Sequence, residues 1–482
     1  MRGRTADGVA RFFNIPYAAA PVDYNRFRLP QTAEPWAGIR DADGFGPNSP
    51  QFVTEFPGID LSPLVGTGWR RGDDFLNLNV WAPEIKGPRS LRPVMVWIHG
   101  PGFVIGSNHA PVLDGSAFAR SGVICIAINY RLGVEGFLPI PLVPPNLGLR
   151  DIILALAWVK DHAGAFGGDP ENITVFGGTA GGNAIASLLA SPRAKGLFRR
   201  AIIQSGHGNM VRSTVVAQRL VDRIAGKLGI KPDLRSYRTA SMEDGARAAQ
   251  EVALPGSRID LRDHEGREPV FGTSRFTPVI GNDVLPLKPL EAVQMGAGVE
   301  VDLLIGTNAE EMNLLLVPAA IREKIGAFLA WYVLRRSQPS ARAVLRAYGS
   351  GEKEPGQALA DALNDLVFRW PARRLAEAHR GRTWFYEFDW RSSAFGGELG
   401  ACHGLELPFV FDTLASATGP QGLAGEDPPQ ALATRVHKLW VDFASSGRLP
   451  WPEFDADSRL VYQLERGEAV SEPVMPAAAF SP

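Results

Sequence analysis

Short apolar runs rich in β-branched and aromatic residues recur at Pro93–His99, Val123–Asn129, Ile173–Phe176, Ala201–Gln204, Val301–Ile305 and Trp384–Phe388. Runs of this length, apolar throughout, predict strands buried on both faces. Between them the period changes. Leu149–Phe166 places Ile152, Ile153, Leu156, Trp158 and Val159 at helical spacing, and Ala180–Ala190 combines small residues with leucine, as a helix lying on a sheet does. This alternation predicts an α/β fold, a mostly parallel central sheet covered by helices on both sides. Helical insertions are expected after about Val211 and between about Pro318 and Arg380, and surface loops at Pro255–Thr273 and Gly349–Pro355, where charge and glycine concentrate. The Pro- and Ala-rich stretch Pro473–Pro482 is expected to fray. With no internal repeat and no linker-like tract, residues 1–482 are expected to form a single domain.

Composition narrows the functional classes. The 482 residues carry 50 basic and 51 acidic side chains, a formal charge of −1, which gives no electrostatic footprint for nucleic acid or for a polybasic membrane protein. Two cysteines, Cys125 and Cys402, are too few for a disulfide framework, and Cys125 sits inside a predicted strand as a buried thiol. Met1–Pro16 lacks the pattern of a secretory leader, and no apolar stretch reaches the length of a membrane span. A cytoplasmic protein without a nucleic-acid or membrane partner is expected, acting on a small-molecule substrate; the oligomeric state stays open. His109, His162, His264, His379 and His437 lack ligand spacing, and there is no phosphate loop, so no metal and no cofactor are expected.

The informative window is Asn172–Gly182. A predicted strand runs into Gly177-Gly178-Thr179-Ala180-Gly181 and then into a predicted helix. In a strand–turn–helix of this kind, small residues allow a tight reversal. The central side chain is lifted above the sheet edge, beside the free N–H groups of the helix N-terminus. Alone, such a turn is as readily structural as functional. Upstream, however, the strand ending Trp97-Ile98-His99 enters Gly100-Pro101-Gly102-Phe103, similar to loops that donate N–H groups to an oxyanion. Downstream, Glu311 follows the strand at Val301–Ile305, and His403 lies in the loop Gly400–Pro408. Nucleophile, acid, histidine is the chain order of α/β-hydrolases.

The chain resembles the type-B carboxylesterases, the family that also contains the cholinesterases and neuroligins. The resemblance runs nearly end to end. It rests on Ile15-Pro16-Tyr17-Ala18, Asp74–Trp81, Asn129–Gly133, Asn146–Asp151, Ala165–Pro170, Gln204-Ser205-Gly206, Gly306–Glu311 and His403–Phe409. It implies an α/β-hydrolase fold and an ester-hydrolysing site. In that site Thr179 stands at the nucleophile position, Glu311 at the acid and His403 at the base, with Gly102 and Ala180 as oxyanion donors. Glu310 is the rival acid by a one-residue shift, but the resemblance aligns Glu311. Ser205 is expected to hydrogen-bond the Glu311 carboxylate. His207 is expected as a surface or pocket-wall residue, or as a second acid or base, and His99 as a structural residue. Phe103, Phe137 and Phe409 could build an apolar pocket, though core packing is the commoner role for such residues.

Four positions depart from the family pattern: Thr179 replaces its serine, Gly178 its usual glutamate, Pro101 the middle glycine of its oxyanion loop, and Phe75 a cysteine found in many members. Proline has no N–H, so one oxyanion donor is lost, which typically costs about 3 kcal/mol of transition-state stabilisation. A β-branched residue at a strained elbow costs ~1–3 kcal/mol and crowds the attack path. Without a carboxylate at 178, a cholinesterase-like cation site is not expected. Three functional classes follow. The first is an ester hydrolase or acyl-transfer enzyme with a Thr-His-Glu triad, slow on generic esters. The second is a non-hydrolytic enzyme of specialised metabolism, in which His403 and Glu311 move protons for elimination, dehydration or cyclisation while Thr179 orients the substrate. The third is a binding protein without catalysis.

Overall fold

All six of the apolar runs form strands, and the alternation inside each accounts for burial on both sides. In the strand Arg92–Ile98, Val94, Val96 and Ile98 join one core cluster while Met95 and Trp97 join another; Ile124–Ile128 divides in the same way. Each aliphatic side chain fully removed from water contributes about 1.5–3 kcal/mol, so two-sided burial is what fixes these strands at the centre. The computed structural model describes residues 1–84, 91–254, 257, 259–268 and 274–480.

The strands of the main sheet are β1 (Arg4–Ala6), β2 (Val9–Pro16), β3 (Asn77–Pro83), β4 (Arg92–Ile98), β5 (Ile124–Ile128), β6 (Gly168–Gly178), β7 (Arg200–Gln204), β8 (Asp302–Asn308), β9 (Thr383–Phe388), β10 (Leu460–Gln463) and β11 (Glu468–Ser471), and the short strands Arg212–Ser213 and Val279–Ile280 pair separately. The main sheet is 11-stranded, in the order β1-β2-β3-β5-β4-β6-β7-β8-β9-β10-β11. From β5 to β10 every neighbouring pair is parallel. The margins β1-β2-β3-β5 and β10-β11 are antiparallel.

Helices α1 (Leu147–His162) and α2 (Ala180–Ala190) cover one face through Ile152, Leu156, Val159, Ile185 and Leu188. The insertion after Val211 carries α3 (Thr214–Leu228) and α4 (Met242–Ala253), whose first turns are capped by the hydroxyls of Ser213 and Ser241. The later insertion carries α5 (Ala327–Arg335), α6 (Ala341–Ala347), α7 (Pro355–Leu363), a π-helical turn at Asn364–Arg369 and α8 (Trp370–Ala378). The opposite face of the sheet is closed by α9 (Gln430–Ser446) through Val436, Trp440 and Phe443.

Of the expected loops, Gly349–Pro355 is an exposed turn ending where Pro355 opens α7. At Pro255–Thr273, residues 259–268 are irregular and the remainder, apart from Ser257, lies outside the described residues. The expectation of a frayed tail at Pro473–Pro482 is overturned up to residue 480. Met475 and Ala477 are buried among the residues of α5–α7, the Ala477 N–H donates to the Tyr348 hydroxyl (3.0 Å), and the Gln338 side chain donates to the Phe480 carbonyl (3.0 Å). Apolar side chains in that stretch find a pocket, which composition alone does not disclose.

Candidate active site

The C-terminal ends of β6, β7, β8 and β9 lie side by side, and the loops leaving them bring together groups far apart in sequence. Thr179 begins the turn from β6 into α2 with φ 56° and ψ −116°, a backbone region that costs a β-branched residue of order 1–3 kcal/mol. Neighbouring contacts hold it there. Its N–H donates to the Gln204 carbonyl at 2.9 Å, and its carbonyl accepts from the Asn183 N–H at 2.9 Å. The turn presses against the end of β4 so closely that a Cβ on Gly181 would stand 1.9 Å, and one on Gly177 2.7 Å, from the Ile98 carbonyl oxygen. Glycine at these two positions is therefore a steric requirement.

The Thr179 hydroxyl lies 2.6 Å from Nε2 of His403, and Nδ1 of His403 lies 2.6 Å from the Glu311 carboxylate. A carboxylate can only accept, so Nδ1 carries the proton and Nε2 is left with a lone pair facing the threonine hydroxyl. Burial pulls the His403 pKa down, but the adjacent Glu311 charge and its hydrogen bond, with a further contribution from Glu406, outweigh it and hold the imidazole above its ordinary 6.5. Glu311 is fixed in turn: its other oxygen accepts from the Ser205 hydroxyl at 2.6 Å and from the Asn308 N–H at 2.8 Å. Glu310 faces elsewhere, towards the Arg391 guanidinium and the Ala401 N–H.

Behind this chain lies a buried polar layer that sequence reasoning did not single out. Glu406 accepts from the side-chain amides of Asn308 (2.7 Å) and Gln204 (3.1 Å), and the Gln204 oxygen accepts from the Trp440 indole (3.1 Å). Burial, reinforced by the Glu311 charge, raises the Glu406 carboxyl above the usual carboxylate range. The available signal was the i, i+3 spacing of His403 and Glu406 within one short turn.

Around the threonine, Gly100 lies close enough that a Cβ there would be 3.2 Å from the Ala180 nitrogen, so the Gly100–Phe103 loop abuts the start of α2. Among the described residues, no hydrogen bond occupies the N–H of Gly102 or of Ala180. Pro101, between Gly100 and Gly102, has no N–H to offer. A Cβ at Gly178 would meet only Trp97 and Leu407, at 3.4 and 3.6 Å, both ordinary contacts, so sterics at that atom do not demand glycine. Phe368, in the π-helical turn, places its ring centroid 5.0 Å from that of His403.

The other expected residues separate from this cluster. Phe103 is buried and packs on Phe137 at 4.3 Å in the core beneath the loop, whereas Phe409 packs on Phe388 and Trp390 within the opposite core. A common pocket of Phe103, Phe137 and Phe409 is therefore corrected, because the sheet divides them. His207 is buried, and the Asn209 N–H donates to its Nδ1 (3.1 Å). Burial lowers its pKa to about 4, and among the described residues its Nε2 has no hydrogen-bond partner and takes no part in the Thr179–His403–Glu311 chain. His99 stacks on Tyr130 at 4.4 Å, and Phe75 is core. A cavity of about 270 Å³ between the Leu188–Phe198 and Gly296–Val301 segments opens beside the N-terminal ends of β7 and β8, the end of the sheet away from Thr179. Among the described residues, no three His, Cys, Asp or Glu converge as metal ligands, and no helix is long and apolar enough to cross a membrane.

Residues 1–474 match the model of the carboxylesterase family. The chain is 34% identical to the para-nitrobenzyl esterase of Bacillus subtilis (strain 168), over 95% of this chain and 92% of that protein. It is also 34% identical to the phenmedipham hydrolase of Pseudarthrobacter oxydans, over 96% and 92%. Among solved structures, the Geobacillus stearothermophilus carboxylesterase superposes with a TM-score of 0.81 at 33% identity, covering 98% of this chain and 96% of that one.

Proposed function

The chain belongs to the carboxylesterase family and is a carboxylic ester hydrolase-like enzyme of the α/β-hydrolase fold, and from that premise we propose that it cleaves a neutral small-molecule ester with Thr179 as nucleophile. The observation that carries the proposal is the unbroken run Thr179–His403–Glu311, with both links at 2.6 Å. His403 takes the hydroxyl proton as Thr179 attacks the carbonyl carbon, and Glu311 balances the imidazolium. The tetrahedral oxyanion is received by the N–H groups of Gly102 and Ala180. Collapse expels the alcohol, which takes its proton from His403 and leaves an acyl-threonine, and water activated by the same imidazole releases the acid. The names of the relatives make para-nitrobenzyl esters the first substrates to test. The apolar side chains of Phe368 beside His403 and of Leu407 beside Gly178 suit an uncharged group.

The test is a phosphonate ester or a slow acyl substrate followed by mass spectrometry. An adduct on Thr179 is expected, together with loss of p-nitrophenyl ester turnover by about 10²–10⁴-fold in His403→Ala. The missing donor at Pro101 favours a second reading, in which His403 moves protons for elimination or cyclisation and Thr179 only binds substrate. Turnover of a natural substrate that survives Thr179→Ala but not His403→Ala, with no adduct, would establish that reading in place of the first.

A further inference from the structure

The later insertion presents a surface that ester hydrolysis does not use. In α5, Ala330 and Leu334 point into the core while Phe328, Leu329, Tyr332 and Val333, one turn apart in pairs, point outward; Phe328 is 73% and Tyr332 50% exposed. Ile321 and Leu315 add exposed apolar surface from the segment just before. A contiguous apolar face of this kind marks an interaction site. Its surroundings are cationic. Residues 318–348 contain Arg322, Lys324, Arg335, Arg336, Arg342 and Arg346 against the single acid Glu323, in a chain whose overall charge is −1; Arg322 is paired with Glu323 and with Glu398, and the other cations remain. Arg335 and Arg342 both lie over the Trp331 ring, at 5.1 and 5.2 Å, which gathers the charges of α5 and α6 beside the apolar face. Among the described residues, none of Arg335, Arg336, Arg342 and Arg346 pairs with a carboxylate.

We propose that the exposed face of α5, with the arginines of α5 and α6, docks the protein on an anionic lipid surface. Aromatic and aliphatic side chains on one side of a helix with arginines beside them are the composition of an interfacial helix, whose apolar face enters the headgroup boundary while its cations meet lipid phosphates. A second copy of the chain is the poorer fit, since a two-fold contact through this patch would set the arginines of one copy against those of the other. The sequence expectation of no membrane partner rested on total charge and the lack of a spanning segment, neither of which detects a local patch. The same helical layer continues through Met312 and Leu316 to Phe368, beside His403, so docking would bring the rim of the site to the lipid.

Flotation of the purified chain with vesicles of phosphatidylcholine, alone or mixed about 2:1 with phosphatidylglycerol, tests this independently of catalysis. Binding to the mixed vesicles is expected to exceed binding to phosphatidylcholine by at least about tenfold, and to weaken with added salt. Arg335→Gln with Arg342→Gln should lower it about thirtyfold, and Phe328→Ser with Tyr332→Ser about tenfold. Unchanged hydrolysis of a soluble ester would show these variants to be folded. Equal weak binding to both vesicles, or binding by the wild type that salt does not weaken, overturns the proposal. So does a dimer in light scattering that Phe328→Ser with Tyr332→Ser dissolves while no vesicle binding is seen.

Discussion

The two halves of the site are supported very differently. On the acid–base side both carboxylates are met: Glu311 by Ser205, the Asn308 N–H and His403, and Glu406 by Asn308 and Gln204. On the other side stand a strained β-branched Thr179, a proline where a donor would serve, and a glycine where sterics would admit a side chain. Buried hydrogen bonds fix the groups they join, so the imidazole and carboxylate are held in the arrangement that the proposed proton transfer needs. In the proposed mechanism, attack and oxyanion binding rest on fewer groups. On the proposed mechanism, the contrast teaches that a chain can keep intact the part that would move protons while thinning the part that would stabilise negative charge, and the two are separable by mutation.

Three substitutions probe that separation. Glu311→Gln removes the larger of the two charges that raise His403, leaving burial, opposed by Glu406 alone, to pull its pKa down. The neutral imidazole is the active form in the proposed mechanism, so the acid limb of the pH–rate profile should move from above 6.5 to lower pH, while the maximal rate falls by about 10³–10⁴-fold. An acid limb that stays in place would mean that the two groups are not coupled. Pro101→Gly restores an N–H to the oxyanion loop and should raise kcat/KM for p-nitrophenyl acetate by about 10²-fold; an unchanged rate would show that Gly102 and Ala180 suffice. Gly178→Ala is the smallest change. With only van der Waals contacts at 3.4 and 3.6 Å around the added methyl, thermal stability should move by no more than about 1 kcal/mol. A larger loss would show glycine to be structurally required there.

Much of this was legible in the sequence. The six central strands declare themselves because continuous apolar runs are buried on both faces, and the elbow because close backbone approach leaves little choice but glycine at 177 and 181. The antiparallel margins were not read. Arg4–Ala6 is fully exposed and Glu468–Ser471 half-exposed, so neither carries a strong apolar pattern. Gln204, Asn308 and Glu406 were unread as a group because they lie on three separate segments and meet only through the folded sheet. The cationic patch on α5 and α6 disappears in a total charge that sums to −1.

The backbone of Thr179 is a spring wound by its neighbours. Glycine at 179 would release the steric cost of its positive φ, and a folded protein has only about 5–15 kcal/mol of stability in all. Laboratory evolution that rewarded heat tolerance alone would therefore tend to discard the hydroxyl at this position, and a screen for hardier variants needs a second selection to keep it.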